Sequence, residues 1–151
     1  ATGIAHSSKH NFKKKEVYVI ISEGELYEGS TWEGLLLLAN LKLDNVFIIL
    51  DVNNNIILGD PRECLSLGDI KKKIESFNIH TEECDGHNFL QIEKKLSKMV
   101  KLKKPKCLIV NTIKGKGFKL MENKAKWHYW NEISDEQYKK SLTLLNENYD
   151  K

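Results

Sequence analysis

The sequence predicts an α/β fold built on an open, mainly parallel sheet with helices on both faces. Two short apolar runs rich in β-branched residues, 17–21 and 46–50, are typical of strands covered on both faces. Residues 25–43, which are strongly apolar over 35–39, are long enough for a crossover helix between them. Because two strands joined by a helix form a right-handed parallel unit, both strands are expected to end at the same edge of the sheet.

The rest of the chain continues the alternation of helices and strands. Asp69 is a typical helix cap, and the apolar residues after it, including Ile70 and Ile74, recur at helical spacing. Pro105 ends a second amphipathic helix, because proline lacks the N–H that a helix requires. We predict helices over 69–77 and 89–101 and from Ser134 or Asp135 to near residue 149, strands over 79–84 and 107–112, an irregular loop over 60–67 and a charged turn over 13–15.

Length, charge and cysteine content limit the class of protein. A chain of 151 residues fits one domain and buries about 70% of its unfolded surface. The net charge of +3, from 24 basic and 21 acidic residues, gives no reason to expect a nucleic-acid partner. Three widely spaced cysteines without a CxxC pair favour a reduced, cytoplasmic setting. No apolar run approaches the roughly 20 residues of a membrane span, so no membrane association is expected.

A carboxylate and an amide follow the two strands of the first parallel unit. Glu23 comes shortly after one strand and Asn53 shortly after the other, so we expect them side by side at the edge where open α/β folds bind ligands. Their oxygen atoms are the hard donors that Mg²⁺ or Ca²⁺ prefers. Gly24 permits a sharp turn, and the helix amino terminus that follows favours an anion such as a diphosphate. The spacing therefore predicts a metal–diphosphate site, although the asparagines at 53–55 also suit an ordinary turn.

Two later features suit the same kind of ligand. Glycines alternate with lysines over 114–117, directly after the last predicted strand, and such a loop can bind an anion through backbone N–H groups and ammonium charge. His128 lies between Trp127 and Tyr129 in the sequence. Its imidazole can donate to phosphate oxygens or transfer protons in carbonyl chemistry, or it can simply pack on its aromatic neighbours.

These motifs resemble those of the transketolase family. The segments SEGELYEGSTWE and LDNVFIILDVNNNIILG are similar to that family's thiamine-diphosphate motif, which begins Gly-Asp-Gly or Ser-Asp-Gly and ends in an asparagine. ECDGHN and NTIKGKGFKLMENKAKWH also resemble the family, in particular its split form, in which the amino-terminal half is a separate subunit. The resemblance implies the diphosphate-anchoring domain of the thiamine-diphosphate-binding fold, over residues 1–151 and without its amino-terminal part.

The resemblance implies a set of metal ligands. Glu23 stands at the position of the family's metal-ligating aspartate, Asn53 matches the second ligand, and Asn55 matches the residue that supplies a backbone carbonyl. Glutamate extends the carboxylate by one methylene, whereas Mg²⁺ requires near-ideal octahedral geometry. We therefore expect weakened Mg²⁺ binding at this site and better tolerance of Ca²⁺, whose coordination is longer and looser.

Four residues are implied in cofactor binding. Gly24 matches the glycine that lies against the diphosphate, and we assign Glu25, the next residue, to the same site. Lys114 and His128 match a lysine and a histidine that line the cofactor and substrate channel. His128 is implied in catalysis for the same reason.

Glu28 and Glu33 are also implied in catalysis. They match glutamates that lie at the family's dimer interface, near the catalytic glutamate of the partner. Glu25 and Glu28 have a structural explanation as well. Carboxylates in the first turns of a helix interact favourably with the positive end of its dipole and stabilise it by about 0.3–1 kcal/mol at exposed sites. Trp32 suits either the core or the interface.

The resemblance implies transfer of a two-carbon ketol unit between sugar phosphates, with thiamine diphosphate as the cofactor. In the family, the glutamate that activates the cofactor belongs to the other half of the enzyme. We therefore expect activity only with a carboxy-terminal transketolase subunit, in a dimer of heterodimers.

Other functions stay open. One is a different thiamine-diphosphate reaction, such as deoxyxylulose phosphate synthesis or a ketol transfer in specialised sugar biosynthesis. Another is a non-catalytic paralogue that has only a binding role in the assembly, for which the glutamate at position 23 is the direct support. A nucleotide-binding Rossmann-like domain is disfavoured, because the sequence contains neither GxGxxG nor GxxxxGK[ST].

Overall fold

The computed structural model describes residues 1–10, 15–129 and 132–149, so most of the charged turn predicted over 13–15 lies outside them. Its centre is a sheet of four parallel strands, which confirms the predicted α/β class. The strands are Val17–Ser22 (β1), Val46–Val52 (β2), His80–Asp85 (β3) and Lys106–Asn111 (β4), in the order β1-β2-β4-β3.

Helices connect and flank the strands. Asp69 caps its helix as predicted, because its side chain accepts a hydrogen bond from the Lys72 N–H at 2.9 Å. Within the described ranges, no helix has the length and apolar character needed to cross a bilayer. The α-helices are Thr2–His10 (α1), Gly29–Asn40 (α2), Pro61–Cys64 (α3), Ile70–Ser76 (α4), Phe89–Met99 (α5) and Asp135–Tyr149 (α6), and the 3-10 helices are Glu23–Tyr27 and Ala125–His128.

Two of the predictions for the segments between strands are wrong. The crossover predicted as one helix over 25–43 is divided, because Glu28 is extended (φ −89°, ψ 124°) between the first 3-10 helix and α2. The loop predicted to be irregular over 60–67 contains α3. Asp60 caps α3 by accepting the Arg62 N–H at 2.9 Å, and Pro61 occupies a position where its missing N–H costs nothing.

Helices pack on both faces of the sheet. On one face, α1, α2 and α4 surround a buried cluster that includes Leu35, Ile48 and Ile74. On the other face, α5 contributes Met99 to a second buried cluster with Leu108 of β4. Since successive strand residues point to opposite faces, β2 and β4 are covered on both sides.

β1 is covered on one face only, so the prediction of a strand covered on both faces is wrong for it. Tyr18 and Ile20 are 54% and 72% exposed, whereas Val17, Val19 and Ile21 pack against the core. The reason is the position of β1 at the sheet edge. On that face, α5 contacts β3 and β4, at the side of the sheet away from β1.

Contacts divide the chain into two compact units. The sheet unit comprises Ala1–Val52 and Leu67–Thr112 and contains all four strands. The second unit comprises Asn53–Ser66 and Ile113–Lys151 and contains α3 and α6.

Replacing Ile48 by Ala is expected to lower the free energy of unfolding by about 2–5 kcal/mol, because truncation leaves a cavity in a central strand. Ile48 is only 3% exposed. Ile20→Ala is the matched control, since the same change at this 72% exposed position on the neighbouring strand is expected to cost about 0.5 kcal/mol. Urea denaturation followed by circular dichroism measures both losses. Equal losses would contradict the difference in burial.

Candidate functional site

The carboxyl ends of the four strands lie at one edge of the sheet. Ser22 at the end of β1 pairs with Asp51 near the end of β2, and Val52 pairs with Asn111 at the end of β4. Asp85 of β3 pairs with Asn111 from the other side. The parallel register therefore delivers the chain segments that follow each strand to the edge where open α/β folds bind ligands.

Glu23 is the first residue after β1 and the first residue of the 3-10 helix. It is only 5% exposed, although glutamate is among the residues least often buried. Gly24 follows it inside the same helix, so the tight turn predicted at this glycine is one turn of 3-10 helix. The turn holds a carboxylate away from bulk water at the strand end where the sequence predicts a metal.

Glu25 closes a capping box with Ser22. Its Oε2 accepts the Ser22 N–H at 2.7 Å, and its own N–H donates to Ser22 Oγ at 3.3 Å. These reciprocal bonds fix the turn that contains Glu23 and Gly24. The structure thus gives Glu25 a local stabilising role, and its predicted contact with a cofactor stays a prediction.

Glu28 and Glu33 are both exposed. Glu28 is the extended residue before α2, where its side chain makes no capping hydrogen bond, and Glu33 lies within α2. Leu36 and Leu37 of the same helix are 60% and 50% exposed. The helix therefore presents acidic and apolar side chains to solvent in the sheet unit, and the predicted roles of both glutamates at an interface stay predictions.

Trp32 belongs to the core rather than to the exposed side of α2. Its Nε1–H donates to the Leu26 carbonyl at 2.8 Å, and its ring lies 6.1 Å from that of Phe77. It packs against the buried cluster below α2 and is half-buried. The structure thus gives Trp32 core contacts, and a role at an interface stays a prediction.

In the second unit, residues 53–55 form the turn that asparagines favour. The Asn53 Oδ1 accepts the Asn55 N–H at 3.0 Å, and Asn54 is in the left-handed region with φ 53°. Asn55 is 8% exposed, and its Oδ1 has no hydrogen-bond partner among the described residues. The expected turn is therefore present, and the metal-ligand roles of Asn53 and of the Asn55 carbonyl stay predictions.

The loop over 114–117 is tightly folded. Gly115 and Gly117 have φ of 75° and 95°, and a Cβ on Gly115 would lie 2.9 Å from the Cβ of Met121. The Gly117 N–H donates to Glu122 Oε1 at 3.0 Å, and the Asn123 N–H donates to the Lys114 carbonyl at 3.0 Å. An internal carboxylate thus occupies one amide of the predicted anion-binding loop, a contact that sequence reasoning missed.

His128 ends the second 3-10 helix. Its Nδ1 is buried without a hydrogen-bond partner among the described residues, and its ring contacts Tyr129 edge-on at 5.1 Å. Burial, and secondarily the positive charge of Lys114, lower the pKa of His128. Lys114 and His128 are therefore close enough to interact electrostatically, as a shared site requires, and the imidazole is held neutral near pH 7.

The predicted site residues fall into two groups. Glu23, Gly24 and Glu25 belong to the sheet unit, whereas 53–55, Lys114 and His128 belong to the second unit. The convergence of Glu23 and Asn53 on one cation stays a prediction. Across the part of the chain that the structure describes, no group of three His, Cys, Asp or Glu side chains could hold a metal ion.

Comparison with known proteins identifies the family. A family model described as the thiamine diphosphate binding domain of transketolase matches residues 4–143. An apulose-4-phosphate transketolase subunit from Actinobacillus succinogenes is 36% identical over 129 residues, which are 85% of this chain and 47% of that protein. The 6-deoxy-6-sulfo-D-fructose transketolase subunit SqwG of a Clostridium species is 30% identical over 146 residues, 96% of this chain and 53% of that protein. The chain thus spans about half the length of these curated relatives.

A solved structure agrees with the sequence matches. The transketolase of Campylobacter jejuni superposes with a TM-score of 0.73 at 27% identity and covers 83% of this chain, which corresponds to 20% of that enzyme. Fold and sequence therefore point to the same family over most of the chain. This chain belongs to the transketolase family and contains its thiamine diphosphate binding domain.

Proposed function

We propose that this chain is the diphosphate-anchoring half of a split transketolase, which transfers a two-carbon ketol unit between sugar phosphates. The observation that carries the proposal is the buried carboxylate of Glu23, which directly follows β1 at the position of the family's metal-ligating aspartate. Two relatives with apulose-4-phosphate in their names, which the chain matches over about half their length, are themselves named as transketolase subunits. Their names support a division of the enzyme between separate chains.

The metal ligands in this proposal are Glu23, Asn53 and the backbone carbonyl of Asn55. Their donors are all oxygens, which suits Mg²⁺ or Ca²⁺ and disfavours softer metals. The fit is supported by the burial of Glu23, which holds a carboxylate at the strand end where the sequence predicts a metal.

The cofactor contacts in this proposal come from Gly24, Glu25, Lys114 and His128. Thiamine diphosphate, when bound, supplies the nucleophilic carbon that takes up the ketol unit. Lys114 provides an ammonium charge for phosphate oxygens. His128 is neutral and has a buried Nδ1 without a partner, so it can accept or donate a proton at an oxygen of the substrate or the cofactor.

The proposed partner is a carboxy-terminal transketolase subunit, in a dimer of heterodimers. Glu28 and Glu33 are exposed and thus available to a partner, together with the exposed leucines of α2. The three cysteines are free thiols, which suits the cytoplasmic setting that we propose.

A second candidate is a ketol transfer in specialised sugar metabolism. The names of the relatives favour it, because one refers to apulose-4-phosphate and another to 6-deoxy-6-sulfo-D-fructose. Product analysis with a panel of ketose and aldose substrates separates this reaction from the general one and from deoxyxylulose phosphate synthesis. A non-catalytic binding subunit would give no product with any substrate in the complete assembly.

Calorimetric titration of the full-length protein with thiamine diphosphate tests the metal site. Glu23→Asp is expected to tighten binding in Mg²⁺ by about tenfold and less in Ca²⁺, because the shorter side chain suits octahedral coordination. Glu23→Gln is expected to weaken binding in both, since it removes the charge. Glu16→Asp, at the exposed amino end of β1, is the matched control and leaves affinity unchanged. Equal affinities for the wild type and Glu23→Asp would contradict the predicted misfit.

The protein is expected to be inactive alone and to transfer ketol units once a carboxy-terminal subunit is added. In the reconstituted complex, Glu33→Gln is expected to lower kcat/KM by at least about tenfold. The resemblance implies that the variant removes a charge near the catalytic glutamate of the partner. Glu16→Gln is the control at an exposed position away from α2. Turnover by the purified full-length protein without a partner would contradict the proposed division of the enzyme between two subunits.

The pKa of His128 is expected to rise in Lys114→Met, because the variant removes a like charge while burial still depresses the value. NMR titration of the imidazole measures the shift. Lys119→Met is the control, since Lys119 is an exposed lysine in the same stretch of chain. An unchanged pKa in Lys114→Met, or an equal rise in the control, would contradict the pairing.

The same depressed pKa predicts the sign of a pH effect on stability. The unfolded chain binds a proton at His128 more readily than the folded chain does, so this contribution to stability falls as the pH drops below about 6.5. His128→Gln is expected to remove that part of the slope in urea denaturation between about pH 5 and 7.

A further inference from the structure

We propose that Thr112 is a positioning residue, which braces the ends of β2 and β4 and so sets the segments that bind the metal and the cofactor. Gly86 has no Cβ and so leaves the space that the Thr112 side chain occupies. The inference rests on the proposed function, because the segments concerned are the asparagine turn and Lys114.

Thr112 is bonded to the end of β2 through both its backbone and its side chain. Its N–H donates to the Val52 carbonyl at 2.9 Å, which extends the β2–β4 ladder one residue beyond Asn111. Its Oγ1–H donates to the carboxylate of Asp51. One half-buried residue thus fixes the last two residues of β2 against the end of β4.

The braced residues lie directly before two predicted ligand-binding segments. Asn53 follows Val52 in the chain, and Lys114 follows Thr112 by two residues. A backbone shift at either strand end is therefore passed to the first residues of those segments through the covalent chain. Thr112 and Asp51 lie outside the two core clusters, so loss of their side-chain hydrogen bond is expected to affect ligand binding more than core stability.

Close contacts with β4 and Thr112 explain why a glycine, Gly86, follows β3 in the motif ECDGHN. A Cβ at this position would lie 2.4 Å from Thr112 Cγ2, 3.1 Å from the Asn111 carbonyl oxygen and 3.2 Å from Val110 Cβ. The Gly86 N–H also donates to the Asn111 carbonyl at 2.8 Å, which holds the two backbones together. The glycine is required for space, since its φ is not in the positive range that favours glycine.

Four variants of the full-length protein test the brace by calorimetric titration with thiamine diphosphate and Mg²⁺. Thr112→Val keeps the shape and removes the hydroxyl, so affinity is expected to fall by about tenfold. Thr112→Ser keeps the hydroxyl and is expected to stay within about twofold of the wild type. Gly86→Ala is expected to weaken binding because the new methyl group displaces Thr112. Adding Thr112→Ser to Gly86→Ala removes the methyl group that clashes and is expected to recover most of the affinity.

Gly3→Ala in α1 is the control for the glycine change, because a Cβ there meets nothing within 4 Å. Wild-type affinity in Thr112→Val, or equal weakness in Thr112→Val and Thr112→Ser, would overturn the brace. Failure of the double variant to recover binding would overturn the role of Gly86. If Thr112→Val does not fold, the Gly86 pair decides together with urea denaturation of both variants. Loss and recovery of affinity at an unchanged free energy of unfolding support the brace, and affinity that only follows stability would overturn it. A wild-type protein that binds no thiamine diphosphate would overturn the proposed function and this inference together.

Discussion

The parallel register of β1, β2 and β4 is the constraint on which the rest of the structure depends. It places the ends of all strands at one edge, so that segments far apart in the sequence leave the sheet together. The register is strongly specified because β2 is buried on both faces, and a slip by one residue would exchange its two sets of core side chains. An antiparallel pairing would send alternate segments to opposite edges and leave no common site.

Two neighbouring carboxylates after β1 have different environments because of where the turn places them. Glu25 is exposed and closes the capping box with Ser22, and this fixes the backbone of the turn. Glu23 is buried within the same turn. Burying a carboxylate such as that of Glu23 is costly. The hydrogen bonds between Ser22 and Glu25 fix the backbone around Glu23, so the cap of the 3-10 helix does not depend on the Glu23 carboxylate.

Periodicity and composition were sufficient to predict the strands, the parallel α/β class and the cap at Asp69, because these depend on local sequence. They were not sufficient for the coverage of β1, since an apolar run does not reveal how many neighbours a strand has. The sequence predicts a continuous helix through Glu28, because its extended backbone depends on the 3-10 turn before it and no local residue pattern marks that break. The contact between Gly117 and Glu122 depends on how the loop folds back, and the lysine–glycine pattern contains no sign of it.

Two residues of the candidate site have buried polar atoms that the described contacts leave unsatisfied. Asn55 Oδ1 and His128 Nδ1 are both buried without a hydrogen-bond partner among the described residues. A buried polar atom without a partner costs about 1–3 kcal/mol, so a fold selected for stability alone would replace or expose it. Asn45 also has such an oxygen, but its amide nitrogen holds the Ala5 and Lys15 carbonyls, which accounts for its burial. For Asn55 and His128 no comparable structural role is present among the described contacts, and this supports the proposal that a ligand binds near them.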